Sequence, residues 1–222
     1  MSAIPNSDQA AILEELAAAV VANKAWLSEI DGKIGDGDHG INMAKGFGRA
    51  AERVHGREVS FSEGLAAVGD VLVSEIGGSA GPLYGLMFEE MAAAIADREA
   101  IDAETFSAML NGGLDAVRGI GGAEIGDKTL MDTLVPAVAA FDAARPEGFA
   151  PALAAMREAA EKGRDSTIDL MAKIGRASRL GERSRGVVDA GAASCCLILT
   201  ELAASIEKRL ASIAGTALRN LC

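Results

Sequence analysis

Apolar residues recur at spacings of three and four through most of the chain, and glycine cuts these runs at intervals. Ser7 and Asp8 suit an N-cap and first turn, after which Leu13, Leu16, Val20 and Leu27 mark one face of a long helix that delivers the chain to Asp31. A second helix is expected from about His39 to Val54. Ser60 or Ser62 opens a third, with Leu65, Val68, Leu72 and Ile76 on its apolar face, and Gly77-Gly-Ser79-Ala80-Gly81-Pro82 breaks it. A fourth covers roughly residues 83–97, and Asp102 is placed to cap a fifth that ends near Gly119-Ile-Gly-Gly122. Gly126-Asp-Lys-Thr129 precedes a sixth, in which Pro136 removes one hydrogen bond and is expected to kink the axis. A seventh, alanine-rich helix begins after Pro146-Glu-Gly148, with a bend expected near Gly163. Residues 175–190 form the longest irregular stretch, and the last helix carries Cys195, Leu199, Leu202, Ile206, Leu210 and Ile213.

Eight helices joined by mostly short connections imply antiparallel neighbours in an all-α, up-and-down arrangement. The glycine-rich breaks at 31–40, 77–81, 119–127 and 175–191 fall at alternate connections, which puts them at one end and makes that end the expected site. Aromatic residues are 4% of the chain and β-branched residues form no alternating runs, so little or no sheet is expected. The length of 222 residues suits one domain spanning 1–222.

Charge narrows the partners. The 32 acidic and 21 basic residues give a net charge of −11, which repels nucleic acid and anionic membrane surfaces. A free nucleotide stays compatible, because Mg²⁺ can bridge its phosphates to carboxylates. The three cysteines, two of them adjacent at Cys195 and Cys196 in an apolar run, read as buried small hydrophobes and not as a disulfide framework. Met-Ser-Ala-Ile-Pro-Asn-Ser lacks the pattern of a signal peptide, and no uncharged apolar run reaches membrane-spanning length. A soluble, cytoplasmic protein is the expectation.

The sharpest chemical signal is Asp31-Gly-Lys-Ile-Gly-Asp36-Gly-Asp38-His39-Gly40, three carboxylates in a glycine-rich stretch between two helical runs. A solvated connector has a similar composition, since Asp and Gly are common turn residues. Three like charges this close, ending at a helix start, repel one another unless a cation offsets them, and their number suggests more than one ion. Counted from Asp36, an EF-hand would need a glutamate where Phe47 stands, so that motif is excluded. Gly35-x-Gly37-x-x-Gly40 formally fits the dinucleotide fingerprint, but Trp26-Leu-Ser-Glu-Ile30 before it is helical in pattern and not a strand.

Five blocks occur in register along the chain: Asp31-x4-Asp36-Gly-Asp38-His-Gly-x-Asn42-Met; Gly-Gly-Ser-Ala-Gly-Pro-Leu-Tyr-Gly; Gly-Asp-Lys-Thr-x-x-Asp132; Gly-Arg176-Ala-Ser with Gly-Glu-Arg-Ser; and Asp189-x-Gly191. The series resembles the nucleotide-binding L subunit of dihydroxyacetone kinases. That resemblance implies a closed barrel of eight antiparallel helices holding ADP or ATP at one end through two Mg²⁺ ions. It further implies a separate K subunit that holds dihydroxyacetone, or a related ketose such as a tetrulose, covalently on a histidine. By the same resemblance Asp31, Asp36 and Asp38 are the Mg²⁺ ligands, and His39, Gly40, Ile41 and Asn42 meet the phosphates at a helix N-terminus. Ser79, Ala80 and Gly81 offer further phosphate contacts, Gly122 and Met131 line the adenine pocket, and Arg176 with Asp189, Ala190 and Gly191 completes the site.

The chain departs from the family at two places. Where family members read Gly-His-Gln-Asp-Pro-Gly-Ala-Thr-Ser, this chain has Gly186-Val-Val-Asp189-Ala190-Gly-Ala-Ala193-Ser194, and Gly-Gly-Ala-Ser-Gly-Pro becomes Gly-Gly-Ser79-Ala80-Gly81-Pro82. Family members either keep ADP bound for rephosphorylation by a phosphotransferase-system protein or exchange ATP for ADP. Loss of proline and a hydroxyl at 190 and 193 is expected to loosen the turn and favour exchangeable ATP. The alternative from another class is a non-catalytic helical regulator that binds Mg-nucleotide and acts on a partner protein.

Overall fold

The structure is a computed structural model in which residues 2–219 are described. Among them are nine α-helices: α1 (Ala10–Ala22), α2 (Lys24–Ile34), α3 (His39–Val54), α4 (Phe61–Glu75), α5 (Ala80–Ile95), α6 (Ala103–Gly121), α7 (Met131–Ala144), α8 (Phe149–Ser166) and α9 (Ala190–Arg219). Two 3-10 segments, Arg145–Glu147 and Arg176–Ser184, join them. The expectation of little sheet meets a two-residue antiparallel pair, β1 (Ile4–Pro5) and β2 (Ala100–Ile101), which ties the N-terminus to the α5–α6 connection.

The helix count exceeds the expected eight because the first expected helix is two. Asn23 turns the chain between α1 and α2, and its side-chain amide donates to the Ala19 carbonyl at 2.9 Å, which competes with the backbone ladder. A second correction concerns the start of α1, which has Gln9 and not Ser7 at its N-cap. Residues 6–9 are drawn into tertiary bonds instead: the Asn6 amide donates to the Ile95 and Arg98 carbonyls, its carbonyl accepts from Ser62 N, and Gln9 N donates to Val59 O. Other boundaries follow local chemistry. Ser60 and Glu63 form a reciprocal capping box on α4, and Asp102 caps α6 by accepting from Thr105 N at 2.9 Å. Helix α5 begins at Ala80, earlier than expected, because Pro82 fits the first turn of a helix where its missing N–H has no partner to lose.

Each helix packs against the next, with α1 on α3, then α3 on α4, α4 on α5, α5 on α6, α6 on α7, α7 on α8 and α8 on α9. Helix α9 also lies against α1, and α2 packs across α3 and α9. One hydrophobic cluster runs through α1 and α3–α9, including Phe47 edge-on to Phe88 at 5.5 Å and the mutually packed Phe106, Phe141 and Phe149. Cys195 and Cys196 are buried and free, as small hydrophobes would be; Cys222 lies outside the described residues.

Glu15 on α1 ties that helix to α9, with Lys208 Nζ at 2.6 Å, Arg209 Nη1 at 3.0 Å and the Ser205 hydroxyl donating to it. Burial alone would raise its carboxyl pKa, but the hydrogen bonds from Lys208, Ser205 and Arg209 outweigh burial and hold it down to about 2. By length and composition Ala190–Thr216 of α9 could cross a membrane, yet 67% of its most apolar stretch is buried against the other helices, as in a core helix. A small cluster of Leu27, Ile30, Ala190 and Ala193 fixes α2 to the first turn of α9, which sets the distance between the aspartate stretch and residues 189–191.

Candidate functional site

The four glycine-rich breaks meet around one cavity of about 610 Å³. Its acidic wall is Asp31, Asp36 and Asp38, each with a carboxylate oxygen within 4.8 Å of the others. Asp31 belongs to the last turn of α2, which runs on past the expected end because Ile30 and Ile34 continue its buried face. Asp36 and Asp38 lie on the short link to α3, where Gly37 takes a positive φ of 78°. Asp31 Oδ2 accepts from His39 N at 3.3 Å, and Arg176 reaches across from the 3-10 segment to pair with Asp36. Oxygen donors alone, all carboxylate and partly exposed, fit a hard divalent cation such as Mg²⁺ and offer nothing to a soft metal.

The cavity is also framed by helix N-termini, that of α3 directly beside the carboxylates. Helix α3 contributes His39 and Asn42, α5 contributes Ser79 and Ala80, α7 contributes Leu130 and Met131, and α9 contributes Asp189, Ala190 and Gly191. Neither Asp38 nor Ser79, the N-cap residues of α3 and α5, accepts a capping bond with its own side chain, although Asp31 takes the first N–H of α3 at His39; the positive ends of both helix dipoles lie beside the cavity. Carboxylates beside helix N-termini suit a metal–phosphate complex. A third wall is apolar, with Leu83, Val117, Ala123, Leu130, Met131 and Ile174, and gives a flat ring a place to lie.

His39 is fixed from behind. Its Nε2 lies 2.8 Å from Ser194 Oγ, which lies 2.7 Å from the Tyr84 hydroxyl, and Tyr84 donates to Gly191 O at 2.9 Å. Burial lowers the His39 pKa against the pull of the Asp31 charge, and burial keeps Tyr84 a neutral phenol. Asp189 caps α9, its Oδ2 accepting from Ala192 N at 2.8 Å, while its own N–H donates to Thr167 Oγ1 at 3.0 Å. Burial raises the Asp189 carboxyl to about 6 despite the backbone bond from Ala192 and the nearby Lys128 charge.

The sequence profile described as the DAK2 domain matches residues 33–204. The chain belongs to the DAK2 domain family. Over 188 residues it is 37% identical to the ADP-binding subunit DhaL of the PEP-dependent dihydroxyacetone kinase of Escherichia coli (strain K12), a span covering 82% of this chain and 89% of the relative. It is 34% identical over 203 residues to the ADP-binding subunit DhaL of the PEP-dependent dihydroxyacetone kinase 2 of Listeria innocua, covering 89% and 93%. Its fold is similar, with a TM-score of 0.65 and 27% identity, to that in the crystal structure of the dihydroxyacetone kinase from C. freundii in complex with AMP-PNP and Mg²⁺; the match covers 88% of this chain and 33% of that one.

In this DAK2 domain Asp31, Asp36, Asp38, His39, Asn42, Ser79, Ala80, Met131, Arg176, Asp189, Ala190 and Gly191 all line the cavity. Gly40, Ile41, Gly81 and Gly122 are not among the lining residues. A Cβ on Gly40 would stand 2.1 Å from Lys24 O and 2.6 Å from Ser28 N, so that glycine lets α3 start against α2. A Cβ on Gly81 would stand 2.2 Å from Ile76 O, which makes Gly81 a packing requirement of the α4–α5 turn. Ile41 is 49% exposed, and Gly122 ends α6 in the left-handed region between Gly121 and Ala123, which do line the cavity. Tyr84, Ser194, Lys128 and Thr129 were missed by residue-level reading. Tyr84 and Lys128 sit inside quoted motif blocks, and a polar group in an otherwise apolar or glycine-rich block was the available signal.

Proposed function

We propose that this chain is the nucleotide-binding subunit of a two-component dihydroxyacetone-type kinase. In this reading it holds ADP or ATP as a Mg²⁺ complex and passes a phosphoryl group to a ketone bound on a separate K subunit. The observation that carries the reading is the cavity itself, where three carboxylates stand together with the N-termini of α3 and α5. Asp31, Asp36 and Asp38 would hold two Mg²⁺ ions, which when bound neutralise phosphate charge and the charge that develops on a transferring phosphoryl group. His39 and Asn42, with Ser79 and Ala80, supply donors to phosphate oxygens, the apolar wall with Met131 takes the base, and Arg176 is close enough to Asp36 to serve the same phosphoryl group. The names of the relatives, both ADP-binding subunits, support this reading.

The same reading extends to architecture and setting. The order of helix packing, from α1 through α3 to α9 and back to α1, supports a closed up-and-down barrel with α2 laid across one end, and the shared hydrophobic cluster supports a single domain over 1–222. A cytoplasmic location agrees with the free buried cysteines. The phosphoryl donor is a phosphotransferase-system protein or exchanged ATP. The turn ahead of α9 is held by side-chain bonds: Asp189 caps α9, Thr167 holds Asp189, and Tyr84 holds Gly191. Titration calorimetry tests the nucleotide site: ADP should bind with Mg²⁺ and fail to bind in excess EDTA, and equal affinity in both would defeat the reading.

A further inference from the structure

Lys128 is 2% exposed and lines the cavity wall, yet the nucleotide reading gives it no task. Its backbone is left-handed, with φ of 63°, a conformation that disfavours a side chain and that glycine or asparagine adopts more readily. The requirement for lysine therefore lies in the side chain. Its ammonium donates to Thr167 O, where α8 ends, and to Val187 O at 2.6 Å, two residues before Asp189. These carbonyls bracket the 168–186 segment, the strap that carries Arg176 and Arg179 to the cavity. Around the same point Gly186 N donates to Ile168 O at 2.8 Å and Lys173 N to Asp127 O at 3.1 Å. Between its ends the strap has positive φ at Gly175 and Gly181.

We propose that Lys128 is a positioning residue: its buried ammonium fastens the two feet of the strap and so sets where Arg176 and Asp189 stand relative to the aspartate cluster. The consequence for ligand binding rests on the nucleotide reading; the fastening does not. Charge coupling agrees with the geometry, since burial lowers the Lys128 amine pKa while Asp189 and Asp132 pull it back up. A methionine at 128 would fill similar volume but leave the Thr167 and Val187 carbonyls without their donor.

The test is limited trypsin digestion of the ligand-free native protein, well below its melting temperature, compared with Lys128→Met. Arg176, Arg179, Arg183 and Arg185 report on the strap, and Arg118 and Arg157 report on the rest of the fold. Strap cleavage should rise about tenfold or more in the variant with cleavage at Arg118 and Arg157 unchanged, because local opening and not global unfolding is affected. A uniform rise at all sites would mean that Lys128 only stabilises the fold, and strap cleavage at the unsubstituted rate would overturn the fastening. Should Lys128→Met fail to fold, the unsubstituted protein supplies the second arm. Acylation of Lys128 by an amine reagent, followed by mass spectrometry, should slow in step with strap cleavage as Mg-ADP is added, and acylation as fast as at Lys24 would refute the proposal. If Mg-ADP does not bind at all, the nucleotide reading fails, while the ligand-free digestion still decides the fastening.

Discussion

Replacing Asp36 with Asn keeps the size of the side chain and one carbonyl oxygen but removes a charge from a cluster whose oxygens lie within 4.8 Å of one another. At that separation a like-charge pair costs about 1 kcal/mol in a fully aqueous medium and about 3.5 kcal/mol at an effective dielectric near 20. Asp36 is 46% exposed, so the lower figure applies, and salt screens it further. The substitution also removes the exposed Arg176 pair, worth about 0–1 kcal/mol. Relief of two repulsions against loss of one attraction leaves the ligand-free protein unchanged or about 1 kcal/mol more stable, a rise in Tm of up to about 4 °C.

With Mg-ADP the order reverses. A ligand present at about 100 times its Kd stabilises the native protein by about 2.7 kcal/mol, which for a chain of this size raises Tm by roughly 5–10 °C. If loss of one carboxylate weakens binding about 100-fold, the stabilisation falls to about 0.4 kcal/mol and the shift to about 1 °C. Thermal melts of both proteins in EDTA, and again in Mg-ADP, read the two effects separately. A variant that melts normally in EDTA and keeps the full Mg-ADP shift would refute the assignment of Asp36 as a ligand.

Two further perturbations follow from the geometry. Glu15 is held down to about 2 in the native state against a reference of 4.5, so its contribution is present above about pH 4.5 and is lost as pH falls from there through about 2; allowing for partial exposure it amounts to about 1–2 kcal/mol. Urea midpoints of Glu15→Gln should accordingly converge with those of the unsubstituted protein as pH drops through that window, and a constant gap would contradict the bond network. Gly40→Ala places a Cβ against main-chain atoms of α2 that cannot rotate away, and is expected to cost about 2–3 kcal/mol and to weaken Mg-ADP binding by displacing the start of α3. A crystallographically unchanged, fully stable variant would show that α2 and α3 have room to separate.

Much of this molecule was legible in the spacing of apolar residues, because a buried helical face repeats whether or not its neighbours are known. The break at Asn23 was not, since Val20 and Leu27 are seven apart and keep their face across one turn; only the bond from the Asn23 amide to Ala19 O marks the stop. The Ser7 cap failed because Asn6 has partners near residues 95–98, which no local pattern reveals. At the site, the aspartate stretch announced itself by local charge density. Tyr84, Ser194 and Lys128 act through contacts far apart in sequence, such as His39 to Ser194, and their roles emerge only once α3, α5 and α9 are brought together. Asp189 shows the limit of motif reading: the residue lines the cavity as expected, but its carboxylate is engaged as the cap of α9.

On the proposed function, this chain supplies the nucleotide half of a kinase and a separate K subunit holds the ketone. Phosphorus NMR can follow a mixture of the chain, Mg-ATP or a phosphotransferase-system donor, and dihydroxyacetone, with and without a K subunit. Phosphorylated ketone should form only when both subunits are present and should stop when EDTA is added. Steady turnover by this chain alone, or turnover with the K subunit that survives EDTA, would contradict the account.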